Sequence, residues 1–462
     1  MINFKLTAEI PSYMNDVPEV IRAFSPYIVI SDEGTPFIIK VVSDDKELDF
    51  YIKDGETETY FNTDINAFAA RDGEDLKRKT KAWVKERLYS YCNKITGVNL
   101  PYGCLTGVRP TAVYYRSIGS YSNIKQHIIN DYFVEEKRAD LIERVVETQK
   151  GYIVRDPHRA DVFVNIPICP TRCSYCSFIS AELNRIRKIV PKYVTALLKD
   201  ISDLKKEMAD KGYIPGAVYI GGGTPTSLDA EALDRITAEL NFGGEFTVEA
   251  GRPDTMTEDK LEVFRRNGVT RVSVNPQTFS DETLVRIGRK HTVADFYAAF
   301  DRAKSLGFDI NIDLIAGLPG EVFDDFKNSL NRAVELKPQN LTVHSLSLKR
   351  GAVLKEQNVR VMDGSVKEMC DYSIDTLLSA GYSPYYMYRQ KNIADGLENV
   401  GYSLPGHINR YNIDYMEETT TVLSAGAGSV TKYVYSAEGR IERKSKAKGI
   451  EEYIRRTLGE PI

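Results

Sequence analysis

The sequence predicts an α/β protein: an open, partial (β/α)6 barrel, preceded by an α+β domain and followed by a mixed C-terminal segment. Three observations lead there. From residue 161 onward, short β-branched runs alternate with longer amphipathic stretches, as in strands paired in parallel through outer helices. Six such units occur, fewer than the eight of a closed barrel. The glycine-rich and polar residues follow the strands, where the loops of such sheets carry chemistry. The chain of 462 residues also exceeds the roughly 250–300 at which one core stops growing. The expected divisions are residues 1–150, 151–346 and 347–462.

The first division opens with the β-rich runs "FKLTAEI", "PYIVIS", "PFIIKVVS", "LDFYIKD" and "ETYFNT", separated by Asp, Gly and Glu turns. A helix is predicted over 75–95, because Leu76, Trp83, Val84, Leu88, Tyr91, Cys92 and Ile95 recur at helical spacing. "PYGCLTGVRPT" (101–111) breaks that pattern, and "DLIERVVETQKGYI" suggests a last helix. Beyond scaffolding, no chemistry is assigned to this division. The barrel strands are "DVFVNI", "AVYIGGG", "FTVEAG", "RVSVNPQ", "DINIDLIAG" and "LTVHSL", with helices over 192–211, 229–240, 257–267, 293–306 and 322–336. After 347, "YSPYYMYRQKN", "PGHINRYNIDY" and "TVLSAGAGSVTK" suggest a segment packed on or beside the barrel.

A net charge of −4 argues against a general nucleic-acid coat. No apolar stretch reaches the roughly 20 residues of a membrane span, and "MINFKLTAEIPSYMND" lacks the features of a signal peptide. A cytoplasmic location is expected. Six cysteines in so long a chain are no disulfide scaffold, and clustered thiols in a reducing compartment indicate metal or redox work.

That cluster is "ICPTRCSYCSF" (168–178), with Cys169, Cys173 and Cys176. Thiolates suit zinc or an iron–sulfur cluster. A structural zinc site normally has four protein ligands, and His158 is the nearest further candidate, although it precedes the strand. Three thiolates on a four-iron cluster leave one iron open for a small molecule. After the second strand, "GGGTPTSL" lets Gly221, Gly222 and Gly223 approach a ligand closely and present N–H groups to a carboxylate. Glu249 ends the third strand, Gln277 the fourth, Arg289 follows it, and Asp313 lies in the fifth. A carboxylate suits ribose hydroxyls, and an arginine suits a carboxylate.

C-x3-C-x2-C after a first barrel strand resembles the radical S-adenosylmethionine (SAM) superfamily. Together with "GGGTPT", "NPQTF" and "IDLIAGLPG", it resembles the oxygen-independent coproporphyrinogen III oxidases and their relatives over about residues 155–435. The N-terminal extension with "LTGVRPT" is similar to the HemZ-type branch. The resemblance implies a [4Fe–4S] cluster on Cys169, Cys173 and Cys176, and one or two SAM molecules. Phe163, Gly222, Glu249 and Val430 would line one SAM site. Tyr175, Gly223, Thr224, Gln277, Arg289, Asp313 and Ser347 would line a second.

The implied activity is anaerobic oxidative decarboxylation of coproporphyrinogen III propionates to vinyls in porphyrin biosynthesis, giving protoporphyrinogen IX. An electron would come from a low-potential donor such as flavodoxin or ferredoxin. The same resemblance admits a haem-binding chaperone of the HemW type, or a radical enzyme that opens or methylates haem. Tyr382, Tyr385, Tyr386, Tyr388, Arg389 and Lys391 are either tetrapyrrole contacts or aromatic packing with solvated charges. The chain departs from the family's oxidases at Phe163 and Asn165, where they carry Tyr and His, and at Phe178, where they carry a further cysteine.

Overall fold

Burial alternates along the longer strands of the first 64 residues, as in Thr35–Ser43 and Glu47–Asp54, so their sheet has one buried face. The computed structural model describes residues 2–25, 27–107, 109–176, 181–347, 365–390 and 393–460. Phe178 and Lys391 lie outside them. Contacts divide the chain into Met1–Glu143 with Asp395–Leu397, and Arg144–Ala394 with Glu398–Ile462.

In the first unit, β1 (Ile2–Glu9), β2 (Ile28–Ile30), β3 (Thr35–Ser43), β4 (Glu47–Asp54) and β5 (Thr57–Asp64) form a sheet of order β2-β1-β3-β4-β5. They coincide with the five β-rich runs. The helix Gly73–Thr96 starts at Asp72, whose side chain accepts the Asp75 N–H, and stops at Gly97 with φ +70°. Its Val84, Leu88 and Cys92 join Phe37, Ile39, Phe50 and Ile52 of the sheet in one core. This helix is slightly longer than the predicted 75–95, because its cap residues lie outside the apolar stripe that predicts it. Glu136–Gln149 is also helical.

The second unit contains β6 (Arg159–Ile166), β7 (Ile168–Cys169), β8 (Ala181–Glu182), β9 (Ile214–Gly222), β10 (Phe246–Val248), β11 (Arg271–Ser273), β12 (Asp309–Ala316) and β13 (Asn340–Ser345). It continues with β14 (Ser383–Tyr388), β15 (Asn399–Ser403), β16 (Thr421–Ala425), β17 (Val430–Tyr435) and β18 (Arg440–Ser445). Apart from the β7–β8 pair, all join one eleven-stranded sheet of order β14-β15-β13-β12-β11-β10-β9-β6-β16-β17-β18. The six predicted barrel strands pair in parallel, in sequence order from β6 to β13. β16 adds a further parallel neighbour to β6. The antiparallel pairs β14–β15 and β17–β18 extend the two ends.

Burial on both faces explains why the central strands are short apolar runs: every residue of β10 is buried. The outer helices follow their caps, with Asp229, Ser280 and Thr292 each accepting a backbone N–H of the first turn. Helix Val190–Asp210 lays Tyr193, Leu197, Ile201, Leu204 and Met208 against the sheet. It also carries Asp200, 3% exposed, which accepts the Gly426 N–H at 2.9 Å and the Tyr453 O–H at 2.7 Å, and pairs with Lys446. One carboxylate thus ties a glycine turn and the C-terminal helix Ile450–Leu458 to the barrel. No helix among the described residues is long and apolar enough to cross a membrane.

Gly426 has φ +103°, and a Cβ there would stand 2.1 Å from the Asn165 carbonyl oxygen. Gly426→Ala is therefore expected to lower the unfolding free energy by about 2–4 kcal/mol, read as a lower urea midpoint at unchanged slope. An unchanged midpoint would contradict the strain at this turn.

Candidate functional site

Because the barrel strands run in parallel, their carboxyl ends meet at one rim, where a cavity of about 700 Å³ opens. The cysteine loop leaves β6 and carries Cys169, Cys173 and Cys176 into the cavity wall. Cys173 is buried, while Cys169 and Cys176 are half-buried. The loop is held by its own backbone, with Cys176 N–H donating to the Cys173 carbonyl at 3.1 Å and Ser174 N–H to the Ile287 carbonyl at 3.0 Å. Thr224 Oγ1 lies 3.6 Å from Cys169 Sγ, and Arg252 Nη1 lies 3.8 Å from Cys173 Sγ. Among the described residues, no three His, Cys, Asp or Glu side chains converge on a single-ion site. His158 precedes β6, an eight-residue strand, so the length of that strand, roughly 25 Å, separates it from the thiols. It does not line the cavity and is no partner for them.

The glycines that end and follow β9 make room for the third strand's acid and for the cysteine loop. A Cβ on Gly221 would stand 2.8 Å from the Glu249 carboxylate, and one on Gly223 would stand 2.7 Å from the Ile168 backbone nitrogen. Glu249 Oε1 accepts the Tyr219 O–H at 2.6 Å, and Oε2 accepts the Gly222 N–H at 3.3 Å. Burial pushes the Glu249 carboxyl up to about 7, against the pull of the Tyr219 hydrogen bond. Phe163 packs beside Tyr219 and Tyr411 with centroids 6.3 Å away, giving the wall an aromatic side.

The next strand ends supply the polar floor. Gln277 adopts φ +71°, which lets its N–H meet the Asp313 carbonyl at 3.1 Å and its own carbonyl accept from Ile315. The Asp313 carboxylate accepts Asn275 Nδ2 and Asn311 Nδ2, each at 2.7 Å, and faces His344 Nε2 at 3.7 Å. Burial opposes ionisation of Asp313, but His344 and the amides outweigh it and hold the carboxyl below its ordinary value. His344 is correspondingly raised, the Asp313 partnership overcoming burial. Arg289 donates to the Gly251 carbonyl at 3.0 Å, the Asn275 carbonyl at 3.3 Å and the Tyr175 hydroxyl at 3.0 Å.

The three cysteines and every residue that the resemblance assigns to a SAM site line this cavity, including Thr224, Ser347 and Val430, whereas Gly221 does not. The tyrosine-rich run divides. Tyr382, Tyr385 and Tyr386 are buried, their hydroxyls bonded to Pro338, Asn412 and Thr342. These three are packing residues, with Tyr385 and Tyr386 set against Ile413 in one apolar cluster; Tyr388 alone of the four lines the cavity. Arg252, Asn275 and His344 line it too, unanticipated. Their one signal was position, each at or just beyond a strand end in "EAGRPD", "SVNPQ" and "TVHSL".

The donor set fits the implied groups. Three soft thiols share a cavity with Gln277 Oε1 and Arg289 Nε, both buried without a hydrogen-bond partner among the described residues. An iron–sulfur cluster suits the thiols, and a polar, carboxylate-bearing ligand suits the rest.

Comparison with known proteins agrees. Residues 165–333 match the radical SAM superfamily. The chain is 35% identical over 390 residues, 80% of its length and 77% of the relative's, to the oxygen-independent coproporphyrinogen-III oxidase-like protein HemZ of Bacillus subtilis. It is 30% identical to the heme chaperone HemW of Escherichia coli, over 62% of this chain and 73% of that one. In fold it is similar to the coproporphyrinogen III oxidase HemN of Escherichia coli, with TM-score 0.52 and 21% identity over 67% of this chain and 71% of that one.

Glu249 titrates in the fold at about 7, above its unfolded value of roughly 4.3. Its ionisation therefore penalises the fold progressively as pH rises between those values, and fully above them. For the ligand-free protein, the Tm difference between Glu249→Gln and the parent should be about 2–4 °C more positive at pH 8 than at pH 5. Equal differences at both pH values would refute the assignment.

Proposed function

The chain belongs to the HemN/HemZ-like family of radical SAM proteins, and from that premise we propose that it oxidatively decarboxylates coproporphyrinogen III propionates to vinyl groups. Each conversion removes a hydrogen atom from the propionate β-carbon, then carbon dioxide and one further electron. The observation that carries this reading is the gathering of three thiols, two differently tuned carboxylates and a pinned guanidinium around one cavity of about 700 Å³.

Cys169, Cys173 and Cys176 would hold the cluster, leaving one iron for SAM. When bound, these groups supply one-electron reductive cleavage of a sulfonium and hydrogen-atom abstraction. The chain's own residues bind and orient. Glu249, at the end of β10, accepts ribose hydroxyls while Tyr219 and Gly222 fix its carboxylate. Arg289, clamped by two carbonyls, offers its fork to a carboxylate. Gln277 Oε1, buried and without a partner among the described residues, accepts an amino group. Phe163 and its tyrosine neighbours exclude water from that side. Tyr175, Gly223, Thr224, Gln277, Arg289, Asp313 and Ser347 would line the site of a second SAM molecule. A cytoplasmic low-potential donor, flavodoxin or ferredoxin, supplies the electron.

A second reading is a haem-binding chaperone, favoured by the similarity to the heme chaperones of Escherichia coli and Lactococcus lactis, 30% and 29% identical. One experiment separates the two. Anaerobically reconstituted protein is given SAM, a low-potential reductant and coproporphyrinogen III, and the tetrapyrroles are resolved by mass. Loss of about 46 mass units per converted propionate, with carbon dioxide released, supports the oxidase. Unchanged coproporphyrinogen together with tight haem binding supports the chaperone. In either case Cys173→Ala should lower bound iron several-fold, read by iron analysis of the reconstituted protein.

A further inference from the structure

Arg252 occupies a position that substrate handling does not explain. It follows β10 in "EAGRPD" and is 3% exposed. Its guanidinium makes a fork with Asp254, Nε to Oδ1 at 2.9 Å and Nη2 to Oδ2 at 3.0 Å. The remaining nitrogen, Nη1, faces the cysteine loop, 3.2 Å from Thr171 Oγ1 and 3.8 Å from Cys173 Sγ. The carboxylate thus holds the far edge of the fork, and the cationic N–H groups lie nearer the sulfur. Behind Asp254, His291 Nδ1 stands 4.0 Å from Oδ1. Its side chain is fully buried, and neither ring nitrogen has a partner among the described residues. Burial, reinforced by the neighbouring Arg289, pushes His291 down to about 4, so near neutral pH it adds no charge to the pair.

We propose that Arg252 raises the reduction potential of the iron–sulfur cluster on Cys169, Cys173 and Cys176, and that Asp254 aims its guanidinium and moderates its charge. This rests on the reading that those thiols hold such a cluster. Hydrogen bonds to cluster sulfurs and nearby charge are principal determinants of its potential. Reduction adds negative charge beside Cys173, and a guanidinium donating toward that sulfur stabilises the reduced form more than the oxidised one. Arg252 is a positioning and tuning residue, since it reaches the cluster through a ligand. Burial makes the effect large: few waters can replace the lost donor or screen the charge.

The test is an anaerobic redox titration of the reconstituted protein without SAM, followed by the EPR signal of the reduced cluster. Arg252→Gln removes donor and charge and leaves Asp254 uncompensated, so the reduced-to-oxidised ratio at a fixed potential should fall about tenfold, a shift of about −59 mV. Asp254→Asn leaves the cation uncompensated and should shift the potential upward. Arg252→Lys should fall between the parent and the Gln variant. Opposite shifts support the proposal, because a merely structural pair would not give them. Unshifted potentials, or two shifts of the same sign, overturn it. So does loss of iron from both variants with an unchanged circular-dichroism spectrum, which would make the pair a clamp on the loop. If Arg252→Gln alone fails to fold, the sign of the Asp254→Asn shift decides. Failure of the underlying reading looks different: the parent protein itself would give no cluster signal on reduction.

Discussion

Parallel pairing of strands consecutive in sequence obliges each connection to cross back over the sheet, so every strand starts at the same rim and ends at the other. In this chain β6, β9, β10, β11, β12 and β13 all obey that rule. The cysteine loop, the glycines, Glu249, Gln277, Asp313 and His344 therefore converge, though about 180 residues of chain separate the first from the last. Were one connection reversed, its polar residue would lie at the opposite rim. The outer helices exist to make those returns, and their apolar stripes bury the sheet that results.

The cavity then differentiates groups of similar type. Glu249 and Asp313 both sit below the surface, yet their environments push them in opposite directions. Glu249 has a phenol and one backbone N–H for partners, and burial prevails. Asp313 has two amide groups and an imidazole, and the partners prevail. Two carboxylates two strands apart can thus carry different protonation states at one pH.

Much of this was legible in the amino-acid order. Runs such as "DINIDLIAG" and amphipathic stretches such as 293–306 mark strands and helices locally, without reference to the rest of the molecule, whereas the short helix Asp281–Arg286 carried too little periodicity to be read. Residues that end such strands also declared themselves, because a parallel sheet leaves them only one place to go. Tyr385 and Tyr386 did not: whether an aromatic run faces a ligand or a neighbouring layer depends on β15 and the helix Arg410–Glu417, which a tyrosine cannot announce. Arg252 and His344 were hidden for a related reason. Their importance lies in what stands opposite them, Cys173 and Asp313, about 80 and 30 residues away in the chain. His158 was the converse, a plausible donor by type that strand direction removes to the wrong end.

The carboxylate of Asp200 joins three segments that chain order keeps far apart: a barrel helix, the turn at Gly426 and the final helix through Tyr453. The turn also carries Gly428, Ser429 and Val430 into the cavity wall. The chain's last helix is consequently a buttress for the binding chamber, though it never reaches it through Tyr453. Between the turn and that helix, the exposed hairpin tip near Gly439 could lengthen outward without disturbing these anchors, whereas an insertion inside β17 or β18 would shift their spacing.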